Sequence, residues 1–202
     1  QPVIVVLSGS LSGSLSISKK PDKIDIDSEC RKENASVRGI YFSNISLGKA
    51  HMSIIGIARQ FNAAAIFIDT HMEKGRQDRP AIVCGERTVS YGALYENVNR
   101  FGNVLRDRDV RMEERVAILL PDIPEFAFTF FGTIKIGAVA VPLNTLLGPE
   151  EYEYLLDDSR ARLLVVHVSL LEAILEIRDR LKYLRHIVVC GGDGADYPRA
   201  TE

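Results

Sequence analysis

Cys190-Gly191-Gly192-Asp193-Gly194-Ala195-Asp196-Tyr197-Pro198 puts three glycines into four consecutive positions and is the first place to look for a phosphate cradle. A cradle of the G-x-G-x-x-G kind lets backbone N–H groups close on a phosphate at the start of a helix. Gly192 and Gly194 fill its first two places, but Tyr197 stands at the third and Pro198 follows. A plain turn is the better reading. His51, His71, His167 and His186 lie far apart and share no ligand spacing, so structural or surface roles are expected. Cys30, Cys84 and Cys190 are too widely spaced for a zinc site or a disulfide framework. They read as free buried thiols and point to a reducing, cytoplasmic compartment. Asp122 and Glu125 read as capping residues, and Asp157-Asp158 as the solvent-facing end of a helix. No Gly-x-Ser-x-Gly elbow and no Ser-Gly-Thr-Gly loop occurs. Spacing alone thus assigns no catalytic residue and no metal ligand.

The elements that would position these groups alternate in type. Ile57, Phe61, Ala64 and Ile68 recur at helical spacing and predict a helix over 56–72. "PAIVCGERTVS" (80–90) reads as two short strands about Gly85-Glu86. Ser90 is placed to cap the next helix, whose Leu94, Val98, Phe101 and Leu105 form one stripe. "RVAILL" (115–120) is a continuous apolar strand stopped by Pro121. The helix after it carries Asp122 as its expected cap and Pro124 in its first turn. Gly137 stops that helix, and "AVAVPL" (138–143) follows as a buried strand. "GPEEYEYLLDDS" is a helix with acids in its first turn, where the helix dipole favours them. "ARLLVVHV", "SLLEAILEIRDRL" and "RHIVVC" add a strand, a helix and a strand. Strands apolar on both faces between amphipathic helices predict an α/β, Rossmann-like, mostly parallel sheet with flanking helices.

Composition narrows the class further. A chain 46% hydrophobic and 26% charged, with net charge -2, is that of a soluble globular protein. No basic block favours a nucleic acid or an anionic membrane. The apolar run from Thr129 to Leu143 is broken by Lys135 and Gly137, so it reads as helix, stop and strand rather than a membrane span. Residues 1–51 are rich in Ser, Gly, Lys and Asp, show no sustained periodicity, and read as a disordered or non-native upstream extension. Met52 is then the expected natural start, with 52–202 as the structured unit. The sequons at Asn34 and Asn44 read as chance matches, because no secretory signal precedes them.

Two longer segments carry a resemblance. "RTVSYGALYENVNRFGNVLR" is similar to the first core motif of the adenylate-forming (AMP-binding) enzymes. "IKIGAVAVPLNTLLGPEEYEYLLDDSRARLLVV" resembles their second, Lys-x-Gly-Ala-x-x-x-Pro-Leu-Asn followed by an acidic helix and a strand. The "FNAA" start, the "VNRFGN" helix and the "NTLL…YEYLLDDSRARLLVV" block look most like benzoate–CoA ligases and related aromatic acid–CoA ligases. The resemblance covers about residues 54–190 and implies part of the large N-terminal domain of such an enzyme.

For a full-length enzyme the resemblance implies an aromatic carboxylic acid, ATP, Mg2+ and CoA as substrates and cofactors. The reaction would pass through an acyl-adenylate. The family's Ser/Thr/Gly-rich phosphate loop, Thr-Glu pair, ribose-binding Asp, hinge and C-terminal lysine have no counterpart in these 202 residues. The chain alone is therefore expected to be inactive. By position, Lys135, Asn144, Thr145 and Leu146 resemble the part of the family's N-terminal subdomain near the CoA nucleotide. Two readings of Lys135 stay open: a point charge for a phosphate, or a lysine snorkelling from a helix end. Asn144 and Thr145 also suit plain turn chemistry after a strand. The alternatives are another adenylate-forming enzyme, such as a fatty acyl-CoA synthetase or an adenylation domain, and a non-catalytic interaction module.

Overall fold

The computed structural model describes residues 3–8, 16–18, 23–24 and 61–191, the first three stretches as backbone only. Nine strands are found among them: β1 (Val3–Ser8), β2 (Ser16–Ser18), β3 (Lys23–Ile24), β4 (Pro80–Cys84), β5 (Arg87–Ser90), β6 (Arg115–Leu119), β7 (Val139–Pro142), β8 (Leu163–His167) and β9 (His186–Cys190). The helices are α1 (Thr70–Glu73), preceded by a π-helical turn over Ala65–Asp69, then α2 (Tyr91–Asp107), α3 (Pro124–Lys135), α4 (Pro149–Asp158) and α5 (Leu171–Ile177). The main sheet runs β3-β2-β1-β9-β8-β6-β7, and β4-β5 form a separate hairpin. β1, β9, β8, β6 and β7 pair in parallel, while β2 and β3 add antiparallel. Strands β1–β3 come from the stretch read in the sequence as a patternless extension. The rest of that stretch, with Cys30, His51 and both sequons, lies outside the described residues, as does 192–198.

Alternation along the strands divides the core into two faces. Val116 and Ile118 of β6, Leu163 and Val165 of β8, and Val188 and Cys190 of β9 face Phe101, Val104 and Leu105 of α2, with Phe126 and Phe130 of α3 packed on the same cluster. Ala117 and Leu119, Leu164 and Val166, and Ile187 and Val189 face Tyr152 and Leu156 of α4 and Ile174 and Ile177 of α5. A covering layer on both faces is what a parallel sheet of continuous apolar strands requires. Each fully buried aliphatic side chain contributes about 1.5–3 kcal/mol. β7 departs from its expected burial. It is the sheet edge, with Val139 43% exposed. Pro142 explains the placement, since a residue without an N–H fits an edge strand.

α2, α3 and α4 end in one way. In α3, Gly137 N–H donates to Ile134 O at 3.0 Å and Ala138 N–H to Thr133 O at 3.1 Å. That bond pair is the Schellman cap, and Gly137 takes the left-handed φ of +80° it needs. The same pair closes α2, from Asp109 to Arg106 and Val110 to Leu105, and α4, from Arg160 to Asp157 and Ala161 to Leu156. There the left-handed position holds Asp109 (φ 54°) and Arg160 (φ 52°) instead of glycine. A second glycine sets helix packing: a Cβ at Gly132 of α3 would meet Val98 O and the Phe101 ring of α2 at 3.0 Å.

Three local expectations need correction. Asp122 does not cap α3; Ile123 is the N-cap, without a side-chain bond, and Pro124 opens the helix. Asp157 does not simply face solvent; it accepts from Lys182 Nζ at 3.1 Å and Lys182 N–H at 3.0 Å. Phe61, expected in a helix over 56–72, stands outside any helix and is 48% exposed, and the described part of that helix winds through a π turn. Ser90 caps α2 as expected, accepting from Ala93 N–H at 3.2 Å.

Left-handed strain costs an L-residue roughly 1–2 kcal/mol, and the greater unfolded-state freedom of glycine offsets about 0.5–1 of that. Arg160→Gly should therefore raise stability in urea by about 0.5 kcal/mol. Gly137→Ala should lower it by about 1–2 kcal/mol or more, because its Cβ would also meet Met112 Cγ at 3.1 Å. A Gly137→Ala chain with unchanged stability would remove the role assigned to this cap.

Candidate functional site

In a parallel sheet the loops leaving the carboxyl ends of the strands form the binding edge, and the crevice opens where successive strands depart on opposite sides. The chain runs from β6 outward to β7, then returns to β8 on the other side of β6. The crevice therefore lies beyond the ends of β6 and β8. Its rim is built by 120–125 after β6, 143–148 after β7, and the last residues of β8 and β9 with those that follow, 167–169 and 190–191.

Each rim segment is held by specific contacts. Asn144 Oδ1 accepts from Leu146 N–H at 3.0 Å, and Asn144 O accepts from the hydroxyl of buried Tyr152 at 3.0 Å. Burial raises the Tyr152 pKa above its ordinary value, so the hydroxyl stays a donor. Glu151 Oε2 accepts from Gly148 N–H at 3.0 Å, closing the start of α4 on itself. His167 Nδ1 lies 2.8 Å from Ser169 Oγ and accepts from Ser169 N–H at 3.3 Å. The other ring nitrogen, Nε2, faces Gly191. After β6, Arg87 of the hairpin grips Glu125, with Nη2 2.7 Å from Oε1 and Nη1 3.5 Å from Oε2. Cys84 Sγ donates to Asp122 O at 3.6 Å.

The residues singled out in the sequence do not converge. Asn144, Thr145 and Leu146 stand at the carboxyl end of β7, with Leu146 89% exposed. Lys135 ends α3 and lies before β7, at the opposite edge of the sheet. Its Nζ is 2.7 Å from Asp69 Oδ1 and 4.6 Å from the centre of the Tyr95 ring. Asn62 Nδ2 donates to Ile134 O at 3.0 Å and to Lys135 O at 3.3 Å, covering carbonyls at the end of the same helix. The histidines are also apart, His167 on the carboxyl edge and His186 at the amino end of β9.

Among the described residues, no three His, Cys, Asp or Glu side chains converge as a metal site. The start of α4 does not fit a phosphate either. Its Gly148 N–H is already bonded to Glu151, and Glu150 and Glu151 put negative charge in the first turn. What the loop after β7 offers a ligand is neutral: the Asn144 amide, the Thr145 hydroxyl and the apolar Leu146. The Arg87–Glu125 pair, the Tyr152 anchor and the His167–Ser169 contact were missed in the sequence. Arg87 and Glu125 are separated by 38 positions, a distance at which no residue spacing signals a pair.

The profile of the family described as "AMP-binding enzyme" matches residues 68–201. The chain belongs to that family. It is 38% identical over 133 residues to a 4-hydroxybenzoate–CoA/benzoate–CoA ligase of Rhodopseudomonas palustris, covering 66% of this chain and 25% of the relative. It is 41% identical over 130 residues to a 3-hydroxybenzoate–CoA ligase of an Aromatoleum species, covering 64% of this chain and 25% of the relative. Among solved structures it resembles an anthranilate CoA ligase in complex with anthranoyl-AMP, with a TM-score of 0.65 and 38% identity over 70% of this chain and 27% of that one. This chain of the AMP-binding enzyme family thus spans about a quarter of the length of these curated relatives. The expected fold is borne out by these neighbours.

Two measurements check the site. The half-buried Lys135–Asp69 pair should be worth about 1 kcal/mol. Asp69→Asn and Lys135→Met should each lose about that much stability, and the double variant no more than either. Additive losses would show the two side chains acting separately. Burial, reinforced by the Glu125 carboxylate, pushes the Cys190 thiol up to about 12, well above the ordinary thiol range. Below about pH 9 the thiol is protonated in both folded and unfolded chains and its contribution is fully present. Above it the unfolded thiol ionises first, and stability is lost until the pH reaches the folded value. Between about pH 8 and pH 10 the native chain should lose about 1.4 kcal/mol more than Cys190→Ala. Equal losses would overturn this assignment.

Proposed function

We propose that this chain supplies the N-terminal part of an ATP-dependent, AMP-forming aromatic acid–CoA ligase. In that reaction the carboxylate attacks the α-phosphate of ATP, giving the acyl-adenylate and pyrophosphate, and the CoA thiolate then displaces AMP to leave the acyl thioester. The observation that carries the reading is 36–41% identity to four ligases named for benzoate or hydroxybenzoates. Mg2+ would supply charge neutralisation on the phosphates, and the described residues provide neither its ligands nor a phosphate cradle. The part given to this chain is a rigid edge: Tyr152, Glu151 and Arg87 fix the rim loops, and the two-sided core keeps the strands beneath them in register. Asn144, Thr145 and Leu146 are proposed to lie beside the CoA nucleotide. Lys135 would reach a CoA phosphate only by leaving Asp69. In a full-length enzyme, Lys135→Ala with unchanged CoA affinity would remove it from that role.

No helix among the described residues is long and apolar enough to cross a membrane, and the proposed setting is the cytoplasm. Residues 1–51 are carried in the same proposal as an extension upstream of Met52, and N-terminal sequencing of the native protein that started at residue 1 would exclude it. A second reading, an interaction module, draws on Ile66 and Phe67, apolar side chains 48% and 59% exposed beside α1. The gene beyond Glu202 discriminates: a Ser/Thr/Gly-rich phosphate loop favours the ligase, and a stop codon favours the module.

The activity test is direct. The purified 202-residue chain should release no pyrophosphate with ATP, Mg2+ and benzoate, whereas a gene product of the relatives' length should release it and form a CoA thioester. Release by the short chain would refute the division of labour proposed here. A long product inert with benzoate and hydroxybenzoates alike would refute the substrate class.

A further inference from the structure

We propose that the β4–β5 hairpin is a strap across the crevice loop 121–125, and that Arg87 is the positioning residue that fastens it. The inference rests on the reading above only in taking the carboxyl edge as the working edge of the molecule.

A two-stranded hairpin is marginally stable on its own and needs a surface to dock on. Here the root and the tip are held differently. The root is apolar: Val89 joins Ile68, Leu94, Val98 and Phe128 in a small cluster outside the main core, with Ala81 and Ile82 packed against it. The tip is polar. Cys84 and Arg87 face each other in the hairpin register, and each reaches the loop after β6, Cys84 to Asp122 O and Arg87 to Glu125. One cross-strand pair thus makes both of the hydrogen-bonding contacts from tip to loop.

The outer side of the hairpin carries none of this work, as Val83 is 72% exposed. The fork geometry suits arginine specifically, because two parallel N–H groups meet two carboxylate oxygens. Arg87 Nε is buried and has no hydrogen-bond partner, so both of the charged contacts run through the Nη atoms. Electrostatics gives the strap a second effect. Glu125 sits in the first turn of α3, where the helix dipole would otherwise draw an anion. The guanidinium neutralises that carboxylate, so Glu125 is held by Arg87 rather than left to an outside cation.

Amide hydrogen exchange read by mass spectrometry on the 202-residue chain tests the strap without ATP, CoA or turnover. Arg87→Gln and Glu125→Gln should each speed exchange in 81–90 and 122–127 by about tenfold, while peptides from β8 and α5 stay unchanged. Arg87→Lys should recover part of the protection, since one ammonium restores the charge but not the fork. The double Arg87→Gln/Glu125→Gln variant should be no faster than either single one. Native exchange in Arg87→Gln would overturn the proposal, and so would equal acceleration of every segment. Failure of the pyrophosphate assay would sink the ligase reading and leave these rates as they are.

Discussion

A parallel sheet imposes one constraint on which the other features here depend: after every strand the chain must come back to the same edge before it can start the next. In this protein the return is made by helices that end abruptly. α2, α3 and α4 each close with the same pair of backbone bonds, and the left-handed residue of the cap is followed by a buried apolar one, Val110, Ala138 or Ala161. After α3 and α4 the cap turns the chain within three or four residues and points it into the sheet. Val139 N–H then bonds Glu114 O at 2.9 Å, and Arg162 N–H bonds Arg115 O at 2.8 Å, so strand pairing begins almost at once.

The two edges consequently differ in chemistry. The amino edge is bound by backbone caps and by pairs such as Lys135–Asp69 and Arg162–Asp109, which fix helix ends. The carboxyl edge is bound by side chains that reach into loops: Tyr152 to Asn144, Glu151 to Gly148, His167 to Ser169, Arg87 to Glu125. Groups of the second kind hold a loop in one shape while leaving its outer atoms free. That division explains why Lys135 and Asn144, nine positions apart in one diagnostic motif, do not share a site. The motif's spacing is that of a helix end, a cap and a strand, so its two polar ends are carried to opposite sides of the sheet.

How far the sequence was legible follows from the range of each interaction. Strands apolar on both faces, Ser90 as a cap and Gly137 as a stop are local signals, and each is found where the pattern predicts it. The caps at Asp109 and Arg160 gave no signal because the residues there are not glycine. Asp122 failed as a cap for a local reason that composition hides: Ile123 intervenes, and Pro124 opens the helix without needing a side-chain acceptor. β7 looked like a core strand by hydropathy, and only Pro142 marked it as an edge. The carboxyl-edge contacts were least legible, because Arg87 and Glu125 meet through tertiary packing rather than through any periodicity.

The absence of a phosphate cradle at α4 is itself an argument about how work is divided in such a domain. A helix start that binds an anion must keep its N–H groups free and its first turn clear of acids. α4 does neither: Glu150 and Glu151 occupy the first turn, and Glu151 takes the Gly148 N–H for itself. The same carboxylates make α4 start firmly, which fixes Tyr152 one turn in and, through its hydroxyl, the Asn144 carbonyl of the rim. A segment that gave up these acids to hold phosphate would loosen the loop it now positions. The described chain is therefore built for placing a rim, not for compensating the charge of an anion at this helix start.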